Sequence, residues 1–262
     1  MSSPIWRVCR AAPWHSAAVL AALAALCGAC GSKAIEPPED RDWRVFAIEY
    51  GTSSQNRSML VQGAPKSERA AMSWYAWLLV SKRSVNRRVL VDTGFDDAER
   101  AKKWRFTRRE RVNAILERAG VAPASITDVV LTHSHWDHAG DTAPYVNARR
   151  WVRKGFPGAS EEIANGVSLI AGGGHTKDIQ WVRIALGDER RRTVAIASDV
   201  AYLYENLETL TPTGSTTDSD ADLAAMRAML SATGSAALIL PGHDPEVAKR
   251  LSRVAENAYE LK

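Results

Sequence analysis

The chain has 262 residues, 45% of them hydrophobic and 24% charged, with a formal net charge of +4. It is therefore long enough to bury a sizeable core, with the composition of an ordinary soluble globular protein. So small a charge, with no basic stripe interleaved with aromatics, is no nucleic-acid footprint and excludes that class of partner. All three cysteines, Cys9, Cys27 and Cys30, fall in the first thirty residues, so the body has neither a disulfide nor a thiolate metal ligand.

Residues 1–30 read as an export leader. Arg7 and Arg10 form a positive start, and the apolar stretch 17–26 is too short to span a bilayer. The end of the leader, Cys27-Gly28-Ala29-Cys30-Gly31-Ser32, resembles a bacterial lipobox with Cys30 as the lipidated residue, although Cys27 stands where that motif usually has Leu. Simple cleavage near Ala29 is the alternative. Either way the expected product is exported, in the periplasm, with a lipid tether to the outer membrane if Cys30 is modified. Residues 31–42, with Pro37-Pro38 and Glu39-Asp40, read as a linker. Residues 43–262 are then expected to form one domain.

Alternating apolar residues predict strands over 43–50, 74–80 and 88–92. The stretch 51–72 between the first two is long and mixed; it reads equally as a surface hairpin or a substrate wall. The third strand ends on Val91-Asp92-Thr93-Gly94, an acidic residue and a glycine turn. Lys102, Lys103, Arg105, Arg108, Arg109 and Arg111 read as the solvated face of a helix start. Val112, Ile115, Leu116 and Ala119 then keep helical spacing over 109–119, closed by Gly120. Further strands are predicted at 126–131, 151–152, 167–170, 179–186, 193–198 and 237–240, with a hairpin turn at Gly187-Asp188. Residues 222–230 predict a helix, and the stripe Val247, Leu251, Val254, Leu261 predicts a closing one. Strands dominate with helices between them, which favours a two-sheet sandwich with helices outside.

The chemistry is concentrated in His133-Ser134-His135-Trp136-Asp137-His138, which follows the apolar run Val129, Val130, Leu131. Of six histidines, three lie here, and His175 and His243 each follow a glycine beyond an apolar run. Two histidines two apart at a strand end can point the same way. A helical turn beginning near Asp137 would send Asp137 and His138 toward a second cation. Gly172-Gly173-Gly174 lets the chain bring His175 close to a buried metal. Asp199 ends the strand 193–198. Neutral imidazole suits zinc, and a carboxylate can bridge two divalent ions. A lone histidine or strand-end aspartate is ordinarily structural; the recurrence of the pattern is what predicts a site holding two cations.

These pieces resemble the metallo-β-lactamase superfamily across roughly residues 43–250, and within it the N-acyl-homoserine-lactone lactonase family. The matching segments are Leu90-Val91-Asp92-Thr93-Gly94, the hexad 133–138, Gly173-Gly174-His175-Thr176, Ser198-Asp199 with Tyr202, and Pro241-Gly242-His243-Asp244. The resemblance implies a four-layer αββα sandwich of the α/β class holding two Zn2+. His133, His135 and His175 would take one, Asp137, His138 and His243 the other, with Asp199 bridging and Asp92 bracing the site from outside. The implied activity is hydrolysis of a small-molecule lactone ester, N-acyl-homoserine lactones above all, by a metal-activated hydroxide. Tyr202, one turn beyond Asp199 if the chain is helical there, would stabilise the oxyanion, and Asp137 would return a proton to the leaving group. Asp178 departs from the family, which often has glycine at that place. A glyoxalase II-like thioesterase, another esterase on the same scaffold, and a non-catalytic metal-binding lipoprotein are the alternatives. A true β-lactamase fits poorly, because those enzymes lack the bridging carboxylate.

Overall fold

Alternate residues of the segment Trp43–Asn56 enter two different cores. In this computed structural model, which describes residues 43–82, 84, 86–153, 158–187 and 192–262, that segment is strand β1. Trp43, Val45 and Ala47 join one apolar cluster; Phe46, Ile48 and Tyr50 join another. The same period of two recurs in β2 (Arg69–Ser81), where Tyr75, Trp77 and Leu79 face the first cluster and Trp74, Ala76 and Leu78 the second. A sheet buried on both faces must be covered on both, which is the origin of the layers.

Between these strands lies the short helix α1 (Arg57–Leu60). After them come β3 (Arg88–Val91), α2 (Ala98–Lys103), β4 (Phe106–Arg109), α3 (Val112–Arg118), β5 (Asp128–Val130), α4 (Trp136–Ala139) and β6 (Arg149–Trp151). The second half holds β7 (Ser160–Ala164), β8 (Val167–Ala171), β9 (Gln180–Ala185), β10 (Thr193–Ser198), α5 (Tyr204–Thr209), α6 (Ser219–Thr233), β11 (Ile239–Pro241), α7 (Glu246–Arg250), β12 (Ser252–Ala255) and β13 (Ala258–Glu260). Among the described residues, one sheet runs β12-β13-β1-β2-β3-β5-β6, with β4 paired to the far end of β1; the other runs β11-β10-β9-β8-β7. Helices α2 and α3 pack Ala101, Val112, Ile115 and Leu116 on the outer face of the first sheet. Helix α6 packs Ala225, Met226 and Met229 with β10. This is the expected αββα sandwich.

Two features of the topology position the site. Strands β3 and β5 are parallel, pairing Val91 with Val130, so the residues after them emerge side by side. Strands β10 and β11 are parallel as well, pairing Ser198 with Pro241. Side chains just beyond the carboxyl ends of parallel strands share one rim of an α/β fold, where ligands are usually met.

Several expectations fail in instructive ways. Residues 51–56 are no loop, because they continue β1 in register with β2 from Gly51↔Trp74 to Asn56↔Arg69. The closing helix stops at Arg250. Residues 252–260 instead form the β12–β13 hairpin, with Asn257 at φ 60 in its turn and Val254 half exposed. Pairing of β13 with β1 supplies the backbone partners that a helix would have met internally. The basic cluster is split among α2, β4 and the loop after it, and three of its arginines are paired: Arg108 with Glu49, Arg109 with Asp96, Arg111 with Asp141. The strand β7 and helix α2 have no counterpart in the sequence expectation. The leader, Cys30, the linker at 31–42 and Asp188 lie outside the described residues.

Candidate metal centre

The loop after β5 delivers the hexad. Gln180 fastens it, donating its side-chain amide to the Leu131 carbonyl (2.8 Å) while its backbone N–H reaches the Thr132 carbonyl (2.9 Å). The chain then turns into α4. Tyr50 donates to the Asp137 carbonyl (2.8 Å), and the Thr93 N–H and hydroxyl both reach the His138 carbonyl. His133 and His135 lie before the turn; Asp137 and His138 lie within it, which separates the two pairs as the sequence predicts.

His175 arrives on the glycine loop after β8. Gly173 holds φ +119, and a Cβ there would meet Val200 at 2.8 Å; on Gly174 a Cβ would lie 1.6 Å from the Asp218 carbonyl oxygen. Only glycine lets the loop approach this closely. Asp199 and His243 come from the ends of β10 and β11.

All seven side chains meet. His133, His135, His175 and Asp199 form one group, and Asp137, His138, Asp199 and His243 the other, with ligand atoms within 4.8 Å of one another in each. Asp199 belongs to both and divides its oxygens between them. Oδ2 lies 3.1 Å from His175 Nε2 and 3.6 Å from His133 Nε2. Oδ1 lies 3.1 Å from His138 Nε2 and 3.0 Å from His243 Nε2. Asp137 Oδ2 is 3.1 Å from His138 Nε2. His135 Nδ1 is 2.9 Å from both His133 Nε2 and His175 Nε2. Two ligand atoms on one tetrahedral cation with bonds of about 2.0–2.1 Å would stand roughly 3.3 Å apart, so the spacing suits metal coordination.

The outer nitrogens decide what the inner ones carry. His243 Nδ1 faces the Ser73 carbonyl at 3.0 Å. A carbonyl only accepts, so Nδ1 bears the proton and Nε2 turns a lone pair toward Asp199. His138 Nδ1 faces Asp92 Oδ2 at 2.7 Å, and its Nε2 is buried with no hydrogen-bond partner. Lone pairs opposed to a carboxylate at 3 Å need positive charge between them. The donor set of imidazole and carboxylate, orphaned in this way, fits a pair of divalent ions.

Where no cation supplies the positive charge, protons on the imidazoles supply it instead. Burial favours the neutral form of Asp199, but His138, His243, His175 and His133 outweigh it and hold the carboxyl well below its usual range. Burial likewise opposes charge on His138, yet Asp199, Asp137 and Asp92 push it well above the ordinary histidine value. His133 goes the other way, pushed well down by burial and by His138.

Asp92 sits at φ +63, with Oδ1 accepting from the Thr132 N–H (2.8 Å) and Oδ2 turned to His138. It thus stands behind His138, on the side away from Asp199. Tyr202 is buried over the site, its ring centroid 4.8 Å from that of His243. Burial pushes its phenol well up, so it stays a neutral donor. The helical premise for Tyr202 is wrong, because α5 begins only at Tyr204. The residue is placed instead by backbone pairing, with the Gly242 N–H on the Ala201 carbonyl (2.9 Å) and the His243 N–H on the Tyr202 carbonyl (3.0 Å).

Above the cluster is a cavity of about 250 Å³, floored by His135, Asp137, His175 and Asp199. Met59, Met72, Trp74, Trp104 and Trp136 wall it, and Ser215 stands beside Tyr202. Met59 and Met72 thus place part of the stretch 51–72 at the wall of this cavity. Trp104 and Ser215 carry no local sequence signal, since each is a single side chain in a polar or basic neighbourhood.

A family model described as the metallo-β-lactamase superfamily matches residues 75–187, a span that holds the hexad and His175 but not Asp199 or His243. An N-acyl homoserine lactonase from Bacillus sp. is 24% identical, the match spanning 47% of this chain and 63% of that protein. A Bacillus cereus N-acyl homoserine lactonase matches to the same extent. The fold resembles a quorum-quenching N-acyl homoserine lactone lactonase at a TM-score of 0.65 and 20% identity, covering 83% of this chain and 98% of the other. It also resembles an N-acyl homoserine lactone hydrolase solved with N-hexanoyl-L-homoserine at its catalytic metal centre, at a TM-score of 0.66 and 19% identity over 80% and 97% of the two chains. A probable metal-dependent hydrolase from Staphylococcus aureus gives a TM-score of 0.66 at 15% identity over 78% and 90%.

Proposed function

We propose, from the premise that the chain belongs to the metallo-β-lactamase superfamily, that it is a dinuclear metal-dependent hydrolase opening the ester of a lactone ring, N-acyl-homoserine lactones being the favoured class. The observation that carries this reading is Asp199, whose two oxygens face two different sets of histidines. The lactonases similar in sequence and fold support the substrate class.

In this reading His133, His135, His175 and Asp199 would hold one cation, and Asp137, His138, His243 and again Asp199 the other; zinc suits the donors. Such ions, when bound, polarise an ester carbonyl and make water nucleophilic at neutral pH. The chain does the rest. Tyr202 keeps its proton and donates a hydrogen bond to the carbonyl oxygen as negative charge develops there. Asp137, an ionised carboxylate at the floor of the cavity, takes the proton that the attacking water gives up and passes it to the departing alkoxide. The apolar wall of methionines and tryptophans takes the acyl chain and excludes water from the opened ring. We further propose, from residues 1–32 alone, that the protein is exported and tethered through Cys30.

The deciding experiment is turnover by the zinc-loaded protein of acyl-homoserine lactones of varied chain length, beside a glutathione thioester and a cephalosporin. Lactone opening should dominate. Preferred hydrolysis of the thioester would replace the lactonase reading with a glyoxalase-type one.

A further inference from the structure

Three of the histidines in the centre have a partner for the nitrogen turned away from it: His133 Nδ1 faces the Thr132 hydroxyl at 3.2 Å, His138 Nδ1 faces Asp92, and His243 Nδ1 faces the Ser73 carbonyl. His175 does not. Its Nδ1 is buried without a hydrogen-bond partner. One other unpartnered atom belongs to a carboxylate that acts on the same residue: Asp222 Oδ2, in the first turns of α6, is also buried and without a partner. Asp222 is close enough for its charge to bear on His175, and its carboxyl also has the Thr216 side chain beside it.

The other oxygen of Asp222 is committed. Oδ1 accepts the Gly174 N–H at 2.6 Å. The Gly174 carbonyl is held from the same helix start, by the Thr217 hydroxyl at 2.7 Å and by the N–H groups of Thr217 (2.9 Å) and Asp218 (3.0 Å). Gly174, the residue before His175, is thus held at its N–H and at its carbonyl by Asp222 of α6 and the two residues that lead into that helix. A buried carboxylate is costly unless its oxygens are satisfied, and a metal-binding imidazole is ordinarily oriented by an acceptor on its far nitrogen.

We infer that Asp222 is the positioning residue for His175: it fixes the N–H of Gly174, the residue before His175, with one oxygen and serves the outer nitrogen of His175 with the other, directly or through one buried water. Asp222 would do for the cation at His133, His135 and His175 what Asp92 does for its neighbour. This rests on the metal-centre reading above, and it makes α6, which contributes no ligand, a determinant of that one site.

Asp222→Asn tests it, since the amide oxygen can still accept from Gly174 while the NH2 cannot accept from the imidazole. Zinc stoichiometry in a chelator-buffered series, and the visible absorption of the cobalt-loaded protein, are read for both sites. One equivalent should weaken by about 10- to 100-fold while the other keeps wild-type affinity, and the metal-free variant should melt near the metal-free wild type. Thr217→Val, which loosens the clamp without touching the carboxylate, should keep both metals. Equal weakening of both sites, wild-type affinity at both, or the same loss in Thr217→Val would each overturn the inference. Should Asp222→Asn fail to fold, the 15N-histidine spectrum of the zinc-loaded wild type decides: a protected, hydrogen-bonded Nδ1–H at His175 is expected, and a freely exchanging one overturns the assignment. A wild type that binds no metal in the same titration would sink the metal-centre reading itself, and the role of Asp222 with it.

Discussion

The Ser215 hydroxyl donates a 2.8 Å hydrogen bond to the phenol oxygen of Tyr202. With that lone pair occupied and burial holding the phenol protonated, its own O–H would be the donor to a substrate carbonyl. Tyr202→Phe should therefore retain two metals and lose roughly 10²-fold in kcat, the usual cost of deleting one oxyanion donor. Metal analysis and lactone turnover on one preparation check this; full turnover would remove Tyr202 from the mechanism.

Asp92 holds His138 at 2.7 Å from a left-handed backbone, φ +63, that asparagine also tolerates. Asp92→Asn should fold and should weaken the cation at Asp137, His138 and His243 by about 10- to 100-fold, with little change at the other site. Competition with a chromophoric zinc chelator resolves the two affinities.

Removing metal should lower thermal stability as well as activity. The ligands come from strand ends distant in sequence, and a cation binds the assembled site far better than the unfolded chain. The expected stabilisation grows as RT ln(1 + [L]/Kd), about 2.7 kcal/mol at a free-ion concentration 100-fold above Kd. A melting temperature that does not move with buffered zinc would contradict the centre.

Met59 is on the cavity wall because α1 is pinned to the 211–215 loop. The Gly214 N–H reaches the Met59 carbonyl at 3.0 Å, and Asn206 donates to the Leu60 carbonyl at 3.1 Å. Met59→Ala should raise KM for long-chain lactones several-fold and leave short-chain ones nearly unchanged, at about 0.8 kcal/mol per lost methylene contact. An equal effect on all chain lengths would place the acyl group elsewhere.

Arg118, hydrogen-bonded to Glu110, holds that carboxyl below its usual range. The folded value lies below the unfolded one, so the contribution to stability is present above the ordinary carboxylate range and is lost as pH falls through the depressed folded value. In chelator, Glu110→Gln should be less stable than wild type at neutral pH, and the gap should close in acid. A pH-independent gap in denaturation midpoint would show that the charge is not the cause.

The ligand set was legible in the linear chain because each ligand follows an apolar strand, and a strand end is a local property. The hexad also announced its own division, since a turn at Trp136 necessarily splits the residues on either side of it. The strands at 74–80, 88–92 and 193–198 were legible for the same reason, a run of apolar side chains with turn residues behind it. Where local pattern misled, a distant partner had decided the matter. Val247, Leu251 and Val254 keep a helical spacing, yet the free edge of β1 captures residues 258–260 as a strand. Residues 51–56 lack strong alternation, yet β2 and β4 pair with them from both sides. What the sequence determined by itself was chemistry: which side chains could hold cations, and that they number enough for two. The tertiary structure decided how they share the work. That Asp199 turns one oxygen to each set, that Tyr202 is set by the chain at His243, and that Asp222 stands behind His175 all depend on parallel strand ends and a helix start meeting across two sheets, and no spacing in one dimension encodes that meeting.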